Sequence, residues 1–394
     1  MIMALQSFIN KSLDWFCSNI SQRSMQCKTL GSSDAPMRLL IVANALIPTV
    51  QLSLVYPLQV ELESNQCTID FITEHDMKQK FGKKLYTIEV ATWVKNQLFA
   101  KCFTHIIFCR YSGPHYEEML SVAKSQHIPT IYCIDDDLLN VPVELGKQKH
   151  EYHNHPLRLG AVRYLLDNVD LIYCSNERLK LHLQDLGVQG KFHISKIFCA
   201  GKIISPVEQR PTNLIGYMGF DHAHDFEIVL PAIIKILSEY PLLRFELFGK
   251  IPKPQILDQF GDRVTVIPVV TDYSAFLQQL AARRWDIGIC PLAPTAFNRV
   301  KNINKWIEYT SVGAAVIASR GMIYDDCCAD ESGYLVRDDE WYIAFDNLLK
   351  NPEKKFKQVA NAQKKLVDMY SIEKLKDQLI SMLQAASNLH EINI

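Results

Sequence analysis

The stretch that decides the fold is IGYMGFDHAHDFEIVLPAIIKIL, residues 215–237. It reads as a buried strand that stops at Gly219, a short polar loop, and a helix with Asp225 at its N-cap. The same unit recurs along the chain. One series of apolar strands covers 38–43, 68–72, 104–109, 129–134 and 170–174; a second covers 214–219, 243–249, 264–268, 286–290 and 314–319. Near-continuous apolar strands separated by helices imply parallel sheets covered on both faces. SPVEQRPTN (205–213), with two prolines and no apolar period, divides the series. The fold class is therefore α/β, with two doubly wound domains at 37–204 and 205–370. A C-terminal helix, 371–394, is placed to cross back to the first domain. Ligands of such sheets gather outside the carboxyl ends of the strands, so the cleft between the domains is the expected site.

Composition narrows the classes. The 394 residues suffice for two domains, and 48% hydrophobic with 22% charged residues is a globular profile. A net charge of −1 argues against a globally basic nucleic-acid binder. Eleven cysteines without a C-x-x-C pair read as free thiols in a reducing cytoplasm. Residues 1–36 stand apart: Leu5, Phe8, Ile9, Leu13 and Phe16 have helical spacing before LGSSDAP breaks the chain. This extension reads as a helix packed on the protein or a partner, with peripheral contact on the inner face of the cell membrane as the alternative.

Three segments carry candidate chemistry. In the loop after Gly219, the helix start at Asp225 offers amide donors to an anion, and His222 and His224 add hydrogen bonds. N-capping with exposed histidines, or an irregular metal set that includes Asp221, are the alternatives. Lys250 follows the next strand and faces the same cleft, unless it is an ordinary surface lysine. In FNRVKNINKWIEYTSVGAAVIAS (297–319), a helix through Asn298, Lys301, Lys305 and Glu308 places all four within an arc of about 80°. Arg299 and Lys301 suit a diphosphate, and a carboxylate further on suits paired ribose hydroxyls. In the first domain, Asp135, Asp136 and Asp137 follow directly on a strand. They serve as a D-x-D metal motif, as carboxylates or a base at a sugar, or as caps of the next turn.

Together IDDDL, IGYMGFDHAHD, DIGICPL and the 297–319 segment resemble bacterial glycosyltransferases of the two-Rossmann-domain GT-B type, near glycosyltransferase family 4. The likeness spans roughly 38–370, and SNERL (175–179) adds to it. It implies two Rossmann-like domains facing a cleft. Glu308 would hold the donor ribose, Lys301 and Arg299 would face the diphosphate, and Gly219, His222 and His224 would form the phosphate loop. Asp136 falls where the family commonly has a histidine beside the donor sugar. Two departures stand out: Val300 replaces the first of two glutamates spaced eight apart, and histidines replace the basic residues after the first strand of the second domain. The resemblance implies transfer of a sugar from a nucleotide diphosphate sugar to a glycan or lipid-linked glycan, of the kind met in surface-polysaccharide synthesis. It implies retention of configuration and no obligatory metal or other cofactor. A sugar-nucleotide epimerase on the same fold and a noncatalytic nucleotide-sugar-binding partner are the rival readings.

Overall fold

The computed structural model describes residues 36–219, 223–270 and 272–393, so the expected N-terminal helical extension lies outside the described residues apart from Pro36. Two six-stranded, all-parallel sheets form the frame. The first runs β2-β1-β3-β4-β5-β6, from β1 (Met37–Ala43), β2 (Cys67–Thr73), β3 (His105–Cys109), β4 (Thr130–Ile134), β5 (Leu171–Cys174) and β6 (Phe192–Ile194). The second runs β12-β11-β10-β7-β8-β9, from β7 (Leu214–Gly219), β8 (Arg244–Gly249), β9 (Val264–Ile267), β10 (Ile287–Cys290), β11 (Ala315–Ser319) and β12 (Tyr334–Val336). Each order reverses once, between β1 and β3 and between β7 and β10. Those reversals open a crevice at the carboxyl ends of the strands. The outer strands β6 and β12 escape sequence reading because each is only three residues long, too short to stand out as an apolar run.

The central strands are apolar because helices cover both faces. Every residue of β3, β4, β5, β10 and β11 is buried. The linker is pinned where the second sheet begins. Buried Asp286 accepts from the amides of Asn213 and Leu214 at 2.9 and 3.1 Å and pairs with Lys355 at 3.2 Å and Arg210 at 3.1 Å. At its end the chain returns to the first domain. The Ile372–Asn393 helix seats Leu379, Met382, Leu383 and Ala386 in one core with Leu39, Ile41, Ile131 and Tyr173. Gln378 Nε2 donates to the Tyr173 hydroxyl and the Ile197 carbonyl, both at 2.7 Å.

Candidate active site

A cavity of about 360 Å³ lies between the carboxyl ends of the two sheets. The first domain contributes Arg110, just past β3, Asp136, just past β4, and Lys149 and His153 from the Lys147–His153 helix. The second contributes Gly219, Gly249, Tyr273, Lys301, Asn304, Lys305 and Glu308. Phe248, Val270, Phe276 and Phe297 supply an apolar wall. Gly219 and Gly249 close β7 and β8 side by side. Gly249 has φ +123°, and a Cβ there would lie 2.2 Å from the Gly219 carbonyl oxygen, so the backbone itself forms this wall.

The helix expected through 298–308 is broken. A short turn, Ala296–Arg299, is followed by non-helical residues 300–303 and then the Asn304–Ser311 helix. The break has a tertiary cause. Val300, 3% exposed, is drawn into the hydrophobic core of the first domain with Leu179 and Leu183. Asn176 Nδ2 donates to the Val300 and Lys301 carbonyls at 3.0 and 3.2 Å, while its Oδ1 caps the Glu177–Asp185 helix by accepting from Leu179 N. One residue thus begins a first-domain helix and holds the second-domain segment that carries Lys301. The predicted polar arc is rearranged: Lys301, Lys305 and Glu308 reach the cavity, whereas Asn298 is buried off its wall, and Arg299, expected at the diphosphate, is exposed and also off the wall.

Asp225 is not an N-cap, since its helix begins at Ala223. It is fully buried and accepts from Ala293 N at 2.8 Å and Asn298 Nδ2 at 2.7 Å. Asn298, itself 1% exposed, also donates to the Ala293 carbonyl at 3.1 Å. The two brace the chain after β10 beneath the site and do not line it. His224 Nε2 lies 3.2 Å from Asp225, off the cavity wall. Lys250 is exposed and also off the wall. Asp221 and His222 lie outside the described residues.

The three aspartates divide by partner. Asp137, 1% exposed, caps its own turn through the amides of Leu139 and Asn140 at 3.1 and 3.2 Å and meets His182 Nε2 at 2.6 Å. That is the capping role. Asp135 and Asp136 both pair with Arg110 Nη1, at 2.6 and 3.0 Å. Burial raises the Asp135 pKa against the pull of Arg110. Of the three, Asp136 lines the cavity. Among the described residues no three His, Cys, Asp or Glu side chains converge as a metal set.

Electrostatics single out two groups. Glu308 is half-buried on the cavity wall; desolvation pushes its pKa up to about 7, against the lowering effects of Lys305 and a hydrogen bond from Tyr273. Desolvation likewise lowers Lys301 to about 8, although Asp136 and Asp225 favour its charge. On the opposite wall burial, with Arg110 and Lys149 nearby, lowers His153 to about 4, so the imidazole is neutral at pH 7. Arg110, Lys149 and Tyr273 were not singled out from the sequence, and His153 falls in the His-rich stretch HEYHNH (150–155), whose irregular spacing assigned it no role. Arg110 had a signal, because it follows an apolar strand just as Asp135 does. The other three sit on helices whose approach to the cleft is a tertiary fact.

No family model matches the sequence, and no curated protein matches it. Solved structures do match. Anabaena HepE in complex with UDP-glucose superposes with a TM-score of 0.59 at 14% identity, over 88% of this chain and 99% of that one. Sucrose-phosphate synthase from Thermosynechococcus elongatus gives 0.60 at 12%, over 88% and 98%. The chain has the GT-B fold. A mutant of S. aureus TarM in complex with fondaparinux, α-GlcNAc-glycerol and UDP also matches, at 0.54 and 11% identity, but this chain spans only 58% of that longer one. At such identities the GT-B architecture is what is shared; residue roles rest on the cavity described above. No helix among the described residues is long and apolar enough to cross a membrane.

Proposed function

We propose that this chain is a glycosyltransferase that uses a nucleotide diphosphate sugar and acts on a glycan or lipid-linked glycan acceptor in surface-polysaccharide synthesis. The observation that carries the reading is the charge layout of the interdomain cavity: Arg110, Lys149, Lys301 and Lys305 surround it, with Glu308 as the acid on the second-domain wall. Cations suit a diphosphate, and a carboxylate beside a tyrosine suits a ribose diol, which needs acceptors.

The chemistry follows from placement. The bond from the sugar's anomeric carbon to the diphosphate oxygen breaks, and the diphosphate leaves with the electron pair. Lys301 and Lys305, fixed in a largely desolvated wall, stabilise that charge without reorganising. The acceptor hydroxyl forms the new glycosidic bond, and in front-face attack its proton passes to the leaving phosphate oxygen, which retains configuration. Asp136, oriented by Arg110, and neutral His153 stand on the facing wall and position the sugar. No metal is assigned a role, because Asp135 and Asp136 already share Arg110 and Asp137 is occupied by His182 and its own turn.

A second reading, a noncatalytic nucleotide-sugar-binding partner, has one observation behind it. Val300, where the resemblance leads one to expect an acid, is core packing at the domain interface.

The test is a thermal-shift panel of UDP, GDP, CDP, ADP and CMP with their sugar nucleotides, with and without chelator, followed by donor turnover. A ligand at about a hundred times its Kd should stabilise the fold by about 2.7 kcal/mol. A strong shift with one base, chelator present, supports the transferase site, and turnover with an acceptor separates it from the partner reading. A donor changed without any acceptor would instead identify an epimerase. No shift with any nucleotide refutes the site.

A further inference from the structure

A second hollow, of about 230 Å³, opens on the first domain where the Tyr116–Ser125 helix begins. Its lining combines Tyr86, Tyr116 and Leu157 with His115, Glu117 and Glu118. Tyr86 is 61% exposed and Leu157 54%, so two apolar faces stand in solvent around a polar floor. His115 Nε2 must donate to the Leu85 carbonyl, 2.6 Å away, because a carbonyl can only accept. Its Nδ1 therefore turns toward Glu118, 3.6 Å away. The helix's first turn has no side-chain cap, and it carries two carboxylates.

Two successive helices link this hollow to the main cavity: the Lys147–His153 helix lies on the main cavity, and the Pro156–Asn168 helix gives Leu157 to the hollow. Lys149 and His153 of the Lys147–His153 helix line the main cavity, and Tyr152 of the same helix turns the other way. The Tyr152 ring carries the Arg158 guanidinium at 3.7 Å, and its hydroxyl donates to Glu74 at 3.4 Å. Tyr86 lies within electrostatic reach of both Tyr116 and Tyr152.

Resting on the glycosyltransferase reading above, we propose that the hollow binds a neutral pyranose ring of the acceptor glycan, remote from the transfer point, with Tyr86 as its stacking platform. The C–H face of a pyranose packs on an aromatic ring, while its hydroxyls donate to carboxylates. Glu117 and Glu118 provide those acceptors and repel phosphate, sulfate or uronate groups. A neutral glycan arm is thus selected over a charged one.

The experiment uses the full chain. Saturation-transfer NMR and titration with cellotetraose, maltotetraose and chitotetraose as neutral probes, and fondaparinux as the charged probe, are run on wild type, Tyr86→Ala and Glu117→Gln. UDP affinity is measured alongside. The expected result is binding of at least one neutral tetrasaccharide, weakened about tenfold by Tyr86→Ala and lessened by Glu117→Gln, with UDP affinity unchanged. Neutral binding indifferent to both substitutions, binding of fondaparinux alone, or no glycan binding would overturn the proposal. Tyr86-dependent glycan binding without any nucleotide binding would retain the hollow as a glycan site and refute the transferase reading instead.

Discussion

Glu308 shows how a single residue links fold and ligand. Folded, it holds its proton up to about pH 7, whereas an unfolded glutamate releases it near 4.5. The folded state then binds more protons between those values, so stability declines as pH rises through that window. Glu308→Gln should flatten this decline, read as Tm against pH from 4 to 8. The ionised form is the better acceptor for ribose hydroxyls, and Lys301 loses its charge above about 8. Nucleotide affinity should therefore rise through pH 7 and fall beyond pH 8, which calorimetry across pH would trace. Glu308→Ala should weaken that affinity by about 1.5–3 kcal/mol, the scale of a hydrogen bond to a charged group. Gly249→Ala tests the backbone wall. A Cβ forced toward the Gly219 carbonyl at φ +123° should cost about 1–3 kcal/mol in urea unfolding.

At the scale of the element, the break at 300–303 is the instructive feature. Local pattern favoured one continuous helix, but burial of Val300 in the neighbouring domain and the two bonds from Asn176 outweigh about four residues of helix propensity. Asn176→Ala removes those bonds and the helix cap together. It should raise amide exchange across 300–303 and cost about 1–2 kcal/mol of stability, with nucleotide affinity lowered because Lys301 is no longer held. The broken segment also explains why Arg299 and Asn298, neighbours of Lys301 in sequence, leave the cavity in different directions, one to solvent and one beneath the site.

For the whole molecule, the cleft depends on how the two sheets are tied. Asn176 bridges the domains on one side, and Arg178 Nη1 donates to the Met322 carbonyl at 2.5 Å beside it. The C-terminal helix completes the first-domain core, with Leu379 1% exposed among its apolar residues. Leu379→Ala should cost about 2–5 kcal/mol, the range for a buried leucine whose cavity relaxes poorly. Denaturant unfolding would show it as a lower midpoint, and a change in slope would mean that the two domains no longer unfold together.

Ten of the twelve strands and the parallel sheets they form were legible in the sequence, because an apolar strand buried on both faces has one pattern and helices cannot imitate it at that length. Asp136, Gly219, Lys301, Lys305 and Glu308 were legible for a related reason: in this architecture the carboxyl ends of strands, and the segments that follow them, open onto the cleft. Tertiary structure alone decided the rest. Asp137 and Asp225 serve as braces because amides of nearby chain satisfy their carboxylates. His153, Lys149 and Tyr273 joined the site because helix packing, which depends on contacts distant in sequence, set the faces they present.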